Sequence, residues 1–430
     1  MTPKKLLYVT LAYPADLYSE KVFVDSEIPA LLQEFNQIVL LPTDPFPRHA
    51  DYEKMLPEGV SSDWSLADDK IYSSKLLRTF YIFHPAVIRA IFDMRREART
   101  PRQWLKGFFQ AVNMVRASQI VRRVARAHDM SPADTVLYSM WFADPASGLA
   151  RLAMTDGWKM ATRAHTSDLY DDRMLFRSKK LRSRLLRFVS NVFAISEKGA
   201  RYMKSRYPEA AERIIHHPLG ARRSGPPDSP TQTSADGPIS FVTTARLDPV
   251  KSLPLILDTL VEVARRTPDR NIIWTLIGDG PCLDQLVKQS ENIHLPNFSV
   301  DFKGALPNDR IQQLYASARP DWFIMMSRSE GLPISMGEAM AHAIPVITTD
   351  VGDVAELVGD DCAILLPAPY DADGNRTLSP AQYADIITQM VTDAPLRQAM
   401  ATAATNRWAT TFDATRLAQA TARHLSTLLQ

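Results

Sequence analysis

Six short apolar runs in the second half of the chain, each followed by a stretch of helical spacing, leave few folds open. They are Ile239–Thr243, Asn271–Ile277, Val300–Lys303, Trp322–Met325, Pro345–Thr348 and Ala363–Leu366, four to seven residues each. Runs this short between longer helical patterns predict buried strands, and strict strand–helix alternation predicts a parallel sheet covered on both faces. The first half repeats the pattern more loosely. Lys5–Ala12 reads as a strand, Val24–Phe35 as a helix and Gln37–Leu41 as a second strand, with later runs at Thr135–Ser139 and Val192–Ile195 and a long helix over Gln110–Ala127. Between the halves lies ARRSGPPDSPTQTSADGP, rich in Pro, Ser, Gly and Asp and without periodic apolar residues, which marks a linker. The expected organisation is a doubly wound domain over 1–220, a linker over 221–238 and a second doubly wound domain over 239–405. Ser379 to Gln430 reads as helical, and 406–430 is expected to pack back toward the first domain.

Composition sets outer limits. A chain of 430 residues exceeds one ordinary core, and 45% hydrophobic with 23% charged residues are ordinary globular values. Fifty basic against 48 acidic side chains give no global reason to expect a polyanionic partner. Two cysteines, Cys282 and Cys362, offer neither a disulfide framework nor metal-ligand spacing, which suits a reducing cytoplasm. The opening apolar run is short and is broken by Pro14 and Asp16, unlike a signal peptide, and no run approaches the ~20 residues that span a bilayer.

The segment Met325–Val358 carries the most chemistry: MMSRSEGLPISMGEAMAHAIPVITTDVGDVAELV. It reads as strand, loop, helix and strand. Gly331 allows close backbone approach, Pro333 has a preset φ that suits a first helical turn, and Ser335 adds a hydroxyl. Free amides at such a start, with the positive end of the helix dipole, can seat a diphosphate on Gly331, Leu332, Pro333 and Ile334. Glu330 lies on the loop beside that seat and Glu338 about two turns into the helix. Carboxylates accept hydrogen bonds from paired hydroxyls, so the two can read the sugar and ribose ends of a nucleotide-sugar. After the first strand of the second domain, TARLDPVKS supplies Arg246 and Lys251 as counter-charges for the diphosphate. Gly278, in the turn GDGP, and the loop Gly304, Ala305 and Leu306 lie on the same rim, where backbone atoms can contact a base.

ARLDPVKS, IGDGP, DFKGAL and the Glu-x7-Glu stretch SEGLPISMGEAM, in this order, resemble the C-terminal domain of the retaining glycosyltransferases of family 4. YPADLYSEKVFVDSEIPALLQEF, LYSMWFADPASGLA, TRAHTSDLY and FAISEKGARYM resemble the N-terminal half of members that build bacterial surface polysaccharides of the colanic-acid, capsule and exopolysaccharide type. The resemblance covers nearly the whole chain and implies an α/β GT-B fold, two Rossmann-like doubly wound domains facing across a cleft. It also implies a hexosyltransferase-class activity (EC 2.4), moving a sugar from a nucleotide-diphosphate-sugar to a hydroxyl on a lipid-linked or growing saccharide, with retention and no metal. On it, Arg246 and Lys251 bind the diphosphate, Glu330 the donor sugar and Glu338 the ribose, while His165 touches the sugar near the reacting carbon. Acceptor contacts are expected around Tyr13 to Glu20 and at Asp168, although the family opens with a Gly-rich loop where this chain departs from it with AYPADLYSE. A nucleotide-sugar epimerase or phosphorylase, or a non-catalytic nucleotide-sugar-binding scaffold, would share the same seat, and the sequence leaves them open.

His216 and His217 precede Pro218 without a carboxylate or Cys pattern and read as structural, with no metal assigned. The stretches Lys75–Arg126 and Arg173–Arg187 interleave arginines with aromatic residues, and helices of that composition suit an anionic membrane surface. No nucleic-acid-binding motif accompanies them. The expected location is the cytoplasm, with peripheral attachment to the inner face of the cytoplasmic membrane.

Overall fold

The computed structural model describes residues 3–15, 20–45, 49–70, 74, 76–171, 178–225 and 237–430. The chain divides into two compact units, residues 1–218 with 415–430, and residues 219–414.

The N-terminal unit runs β1 (Lys5–Thr10), α1 (Glu20–Glu34), β2 (Gln37–Pro42), α2 (His49–Glu53), β3 (Val60–Ser62), α3 (Pro85–Met94) and α4 (Pro101–Ala127). It continues through β4 (Thr135–Ser139), α5 (Asp144–Asp156), β5 (Lys159–Ala164), α6 (Thr166–Leu169), α7 (Lys179–Leu186), β6 (Asn191–Ala194), α8 (Glu197–Arg206) and β7 (Ile214–His216). Its seven strands are ordered β3-β2-β1-β4-β5-β6-β7, and every pair is parallel. Strands β1, β2 and β4 are almost wholly buried, which is why they read as unbroken apolar runs. The strand β5 escapes that pattern because its buried Arg163 is polar. The Arg163 guanidinium pairs with Glu27 at 2.5 Å and reaches Tyr138 Oη at 3.2 Å and Thr421 Oγ1 at 3.2 Å. Burial without such partners would cost several kcal/mol, so β5 and α1 are fixed to each other by this network.

The C-terminal unit contains β8 (Ile239–Thr244), α9 (Leu253–Arg266), β9 (Ile272–Ile277), α10 (Leu283–Glu291), β10 (Phe298–Gly304), α11 (Asn308–Ala318) and β11 (Trp322–Met325). There follow α12 (Ile334–Ala341), β12 (Val346–Thr349), α13 (Val354–Leu357), β13 (Ala363–Leu366), α14 (Pro380–Val391) and α15 (Ala394–Arg407). Six parallel strands are ordered β10-β9-β8-β11-β12-β13 around a core that includes the fully buried Trp274 and Trp322. In each sheet the chain order reverses at one point, between β1 and β4 and between β8 and β11. Ligands of doubly wound sheets bind outside the strand carboxyl ends at that point.

The unit boundaries differ from the composition-based ones. Ala221 forms a bridge with Asp413 and its carbonyl accepts from Trp408 Nε1 at 2.8 Å, so 219–225 belongs to the C-terminal unit rather than to a linker. The remaining linker residues, 226–236, lie outside the described residues. The helix α16 (Ala414–Thr427) belongs to the N-terminal unit from Thr415 onward. Thr421 meets Arg163 and also His217 Nε2 at 2.8 Å, and Lys4 Nζ donates to the Ser426 carbonyl at 3.1 Å. His217 is therefore a buried structural hydrogen-bonder, its pKa pushed down to about 3 by burial and by the nearby Arg163 charge.

Candidate functional site

At the switch point of the C-terminal unit, the loops after β8 and β11 lie together. The Arg328 amide donates to the Val250 carbonyl at 2.8 Å, and the Lys251 ammonium meets the Glu330 carboxylate at 2.6 Å. Lys251 and the loop that carries Glu330 and Gly331 are thus brought to one place. Arg246, on the same loop, pairs with Asp248 and is largely exposed. The loop is held from a third side by Gly352. Its φ is +63°, and a Cβ there would lie 1.9 Å from the Glu330 carbonyl oxygen, so only glycine lets the segment after β12 lie against the Glu330 backbone.

The helix α12 starts at Ile334, with Pro333 extended before it and no side chain capping the helix start. A start left without a side-chain cap is what an anion site needs. Glu338 is the fifth residue of this helix, little more than one turn in, rather than two turns as expected from a start at Gly331. It is buried, accepts from Asn308 Nδ2 at 2.7 Å, and has its pKa pushed up to about 7 by burial, partly opposed by Asn308. Asn308 was not singled out from sequence, because an Asn after a proline reads as an ordinary helix start.

The expected base rim is tied together by backbone. The Gly278 amide donates to the Gly304 carbonyl at 2.8 Å, and Leu247 N to the Asp279 carbonyl at 2.9 Å. Gly278 has φ +141°, and a Cβ would sit 1.9 Å from Ala245 O, so the β9 turn packs directly on the loop that carries Arg246. Ala305 and Leu306 continue that edge toward Asn308, and through it to Glu338.

At the switch point of the N-terminal unit the structure departs from expectation. Glu20 is buried and both carboxylate oxygens are used. Oε1 accepts from Leu11 N at 2.7 Å and Trp141 Nε1 at 2.8 Å, while Oε2 accepts from Ala12 N at 2.9 Å and Tyr13 N at 3.1 Å. These bonds organise the loop after β1 and occupy both oxygens of the carboxylate. Tyr13 is buried and its phenol is pushed above its ordinary range by burial, so its ring offers no open face. Residues 16–19 of this stretch lie outside the described residues. Asp168 is likewise turned inward, accepting from His165 N at 2.7 Å and Phe142 N at 2.8 Å, which ties the loop after β5 to the loop after β4.

His165 is different. Trp141 stacks on its ring at 3.9 Å, and both imidazole nitrogens are buried without a hydrogen-bond partner. Its nearest carboxylate oxygen, Asp168 Oδ2, lies 4.0 Å from Nδ1, beyond hydrogen-bond reach, so both nitrogens keep their capacity to donate or accept. Burial and the neighbouring Arg163 hold its pKa well below the ordinary histidine value, so it is a neutral imidazole. Trp141 was not anticipated, since nothing local in WFADP signals its partner 121 residues earlier.

A surface cavity of about 690 Å³ in the N-terminal unit, lined by Asp63, Trp64, Asp69, Arg116 and Arg123 among others, contains none of these residues. Its central charges, Arg116 and Asp69, pair with each other at 2.5 Å, and we place no site there. Among the described residues no group of three or more His, Cys, Asp or Glu side chains is arranged to hold a metal ion, and no helix is long and apolar enough to cross a membrane.

Residues 227–407 match the family described as glycosyl transferases group 1. A sulfoquinovosyl transferase of Arabidopsis thaliana is 32% identical over 105 residues, 24% of this chain and 19% of that protein. The alignments to curated relatives span only 19% to 29% of those proteins' own lengths. A glycosyltransferase from Rickettsia africae superposes with a TM-score of 0.65 at 12% identity over 100% of both chains. The Anabaena protein HepE, solved with UDP and glucose, gives 0.62 at 17% identity, over 99% of this chain and 100% of that one. The C-terminal unit is thus matched by the glycosyl transferases group 1 family, within a GT-B fold of two Rossmann-like units.

Proposed function

We propose that this chain transfers a sugar from a nucleotide-diphosphate-sugar to an acceptor hydroxyl, with retention at the anomeric carbon. The observation that carries the reading is the Lys251–Glu330 pair at the uncapped start of α12, at the sheet's switch point. There, Lys251, Arg246 and the helix amides neutralise the diphosphate and the charge it gains as the glycosidic C–O bond breaks. Glu330 holds sugar hydroxyls and Glu338 the ribose. The compensating charge comes from these groups, so transfer is expected to persist in EDTA. On the N-terminal unit we assign His165 as a neutral hydrogen-bonding group for a sugar hydroxyl, because its orphaned nitrogens can donate or accept there. In a retaining reaction without an enzymic nucleophile, the acceptor oxygen attacks on the face from which the diphosphate departs, and its proton passes to the leaving phosphate oxygen. A hydroxyl on a lipid-linked or growing saccharide is the acceptor class this reading favours.

The test is a thermal-shift and calorimetric screen against nucleotides and nucleotide-sugars, followed by product analysis with and without saccharide acceptors. Stabilisation by a nucleotide-sugar and acceptor-dependent release of nucleoside diphosphate are expected. Altered nucleotide-sugar without acceptor would mean an epimerase, and no affinity for any sugar-linked nucleoside diphosphate would end the proposal.

A further inference from the structure

Twelve large apolar side chains are strongly exposed among the described residues, and eight of them fall between Leu76 and Leu105. Phe83 is 84% exposed, Phe80 78%, Leu76 76%, Phe92 57% and Leu105 55%. These residues sit on packed structure. The start of α4 is fixed by a capping box between Thr100 and Gln103, and α3 packs against α4 and α7. On α3, Val87, Ala90 and Met94 face the core, while Ile88 and Phe92, one turn apart, share the outward face.

The charges around this apolar face have one sign. Residues 76–106 contain seven arginines and lysines against two acids, a local balance of +5 (7 − 2). Both acids are consumed internally. Asp93 is buried against Arg184 at 2.6 Å, and Glu97 accepts from Ser178 Oγ at 2.6 Å and Lys180 N at 3.0 Å. Arg89, Arg95, Arg96, Arg99 and Arg102 are left on the exposed side. The Arg95 guanidinium lies over the Phe92 ring at 3.4 Å, so cation and apolar surface are presented at one level. Single exposed apolar side chains are ordinary, whereas eight within the thirty residues from Leu76 to Leu105, with arginines between them, are not. Aromatic and aliphatic side chains with arginines at their edges match the boundary of an anionic bilayer, where rings enter the headgroup layer and guanidinium groups meet phosphate. A nucleic acid would use the cations and stack on the rings but has no use for Leu76, Ile88 or Leu105.

We infer that this face of the N-terminal unit, formed by α3, the segment before it and the start of α4, docks on anionic lipid bilayers. The inference deepens the proposed transferase reading, since it rests on that reading for the lipid-linked character of the acceptor, but binding is measured without turnover. The experiment is cosedimentation of the full chain with phosphatidylglycerol-containing vesicles and with phosphatidylcholine vesicles, at low and high salt. Wild type should bind the anionic vesicles at least about tenfold more tightly than the neutral ones, and lose that preference in high salt. Phe80→Ser with Phe83→Ser, and separately Arg95→Glu with Arg99→Glu, should each weaken binding about tenfold or more while melting temperature and nucleotide-sugar affinity stay unchanged. No binding, equal binding to neutral vesicles, or full binding by both double variants would overturn the inference. So would self-association abolished by the Phe variants, or competition by single-stranded DNA without vesicle binding. If vesicle binding fails while nucleotide-sugars still bind, the transferase reading survives; if vesicles bind and nucleotide-sugars do not, only the latter falls.

Discussion

Glu20→Gln tests whether a single carboxylate organises the first loop of the N-terminal unit. The wild-type side chain receives four N–H donors, two on each oxygen, at 2.7 to 3.1 Å. Glutamine keeps the shape but has one acceptor, so its NH2 must face either the Ala12 and Tyr13 amides or the Leu11 amide and the Trp141 indole. Two charge-assisted bonds are lost at roughly 2 kcal/mol each, about 4 kcal/mol in total. For a unit of this size that lowers the melting temperature by about 12 °C. Calorimetry should show the loss in one transition, while a nucleotide that stabilises the C-terminal unit still shifts the other. If sugar transfer is assayed in parallel, kcat should fall while donor affinity holds, because in either orientation the Glu20 link between the loop after β1 and Trp141, which stacks on His165, is weakened. Trp141→Phe, which retains the stack and drops the indole N–H, should lie between the two. A Glu20→Gln protein that melts within about 2 °C of wild type would refute the reasoning, since it would mean the four donors are equally well served by solvent.

Other perturbations have equally definite outcomes. Burial raises the Glu338 pKa from 4.5 to about 7, so the folded state prefers the protonated acid. The stability this contributes is complete below about pH 4.5 and lost as pH rises through 7, about 3 kcal/mol in all, and Glu338→Gln should flatten the pH dependence of the denaturation midpoint. Lys251→Ala should weaken nucleotide-sugar binding by about 10- to 100-fold in calorimetry, the worth of one charge-assisted contact. Glu330→Gln should retain nucleoside diphosphate affinity and lose transfer, because it frees Lys251 and removes only the sugar contact. Gly352→Ala places a Cβ 1.9 Å from Glu330 O at a positive φ, and should reduce transfer at least about tenfold by displacing that loop while the fold persists.

The residues that announced themselves in the sequence are those whose role is local. The strands Thr135–Ser139, Trp322–Met325 and Ala363–Leu366 end where their apolar runs end. The Glu330–Glu338 stretch is readable because loop, helix start and both acids are consecutive. What escaped depends on partners far along the chain. The strand Lys159–Ala164 carries a buried arginine whose counter-ion Glu27 lies 136 residues away, so it does not look apolar. Strands Val60–Ser62 and Ile214–His216 are three-residue sheet edges, too short for any periodicity to register. The helix α1 begins at Glu20, four residues before the expected Val24, because the Glu20 side chain folds back onto the preceding amides. The same fold-back ties Glu20 into the loop's scaffold, which spacing alone has no means of revealing.

The chain passes between its two units twice, at 218–219 and again at 414–415, and the two passages are stitched side by side. Ala221 N donates to the Phe412 carbonyl at 2.8 Å, Ala414 N to the Ala221 carbonyl at 3.3 Å, and a Cβ on Gly220 would lie 2.2 Å from Ala414 Cα. Cutting the gene in the middle therefore yields no self-sufficient first half: a fragment ending at 218 lacks Thr421 and leaves Arg163 and His217 short of a buried partner. An expression plan for isolated halves must splice residues 415–430 back onto the first piece.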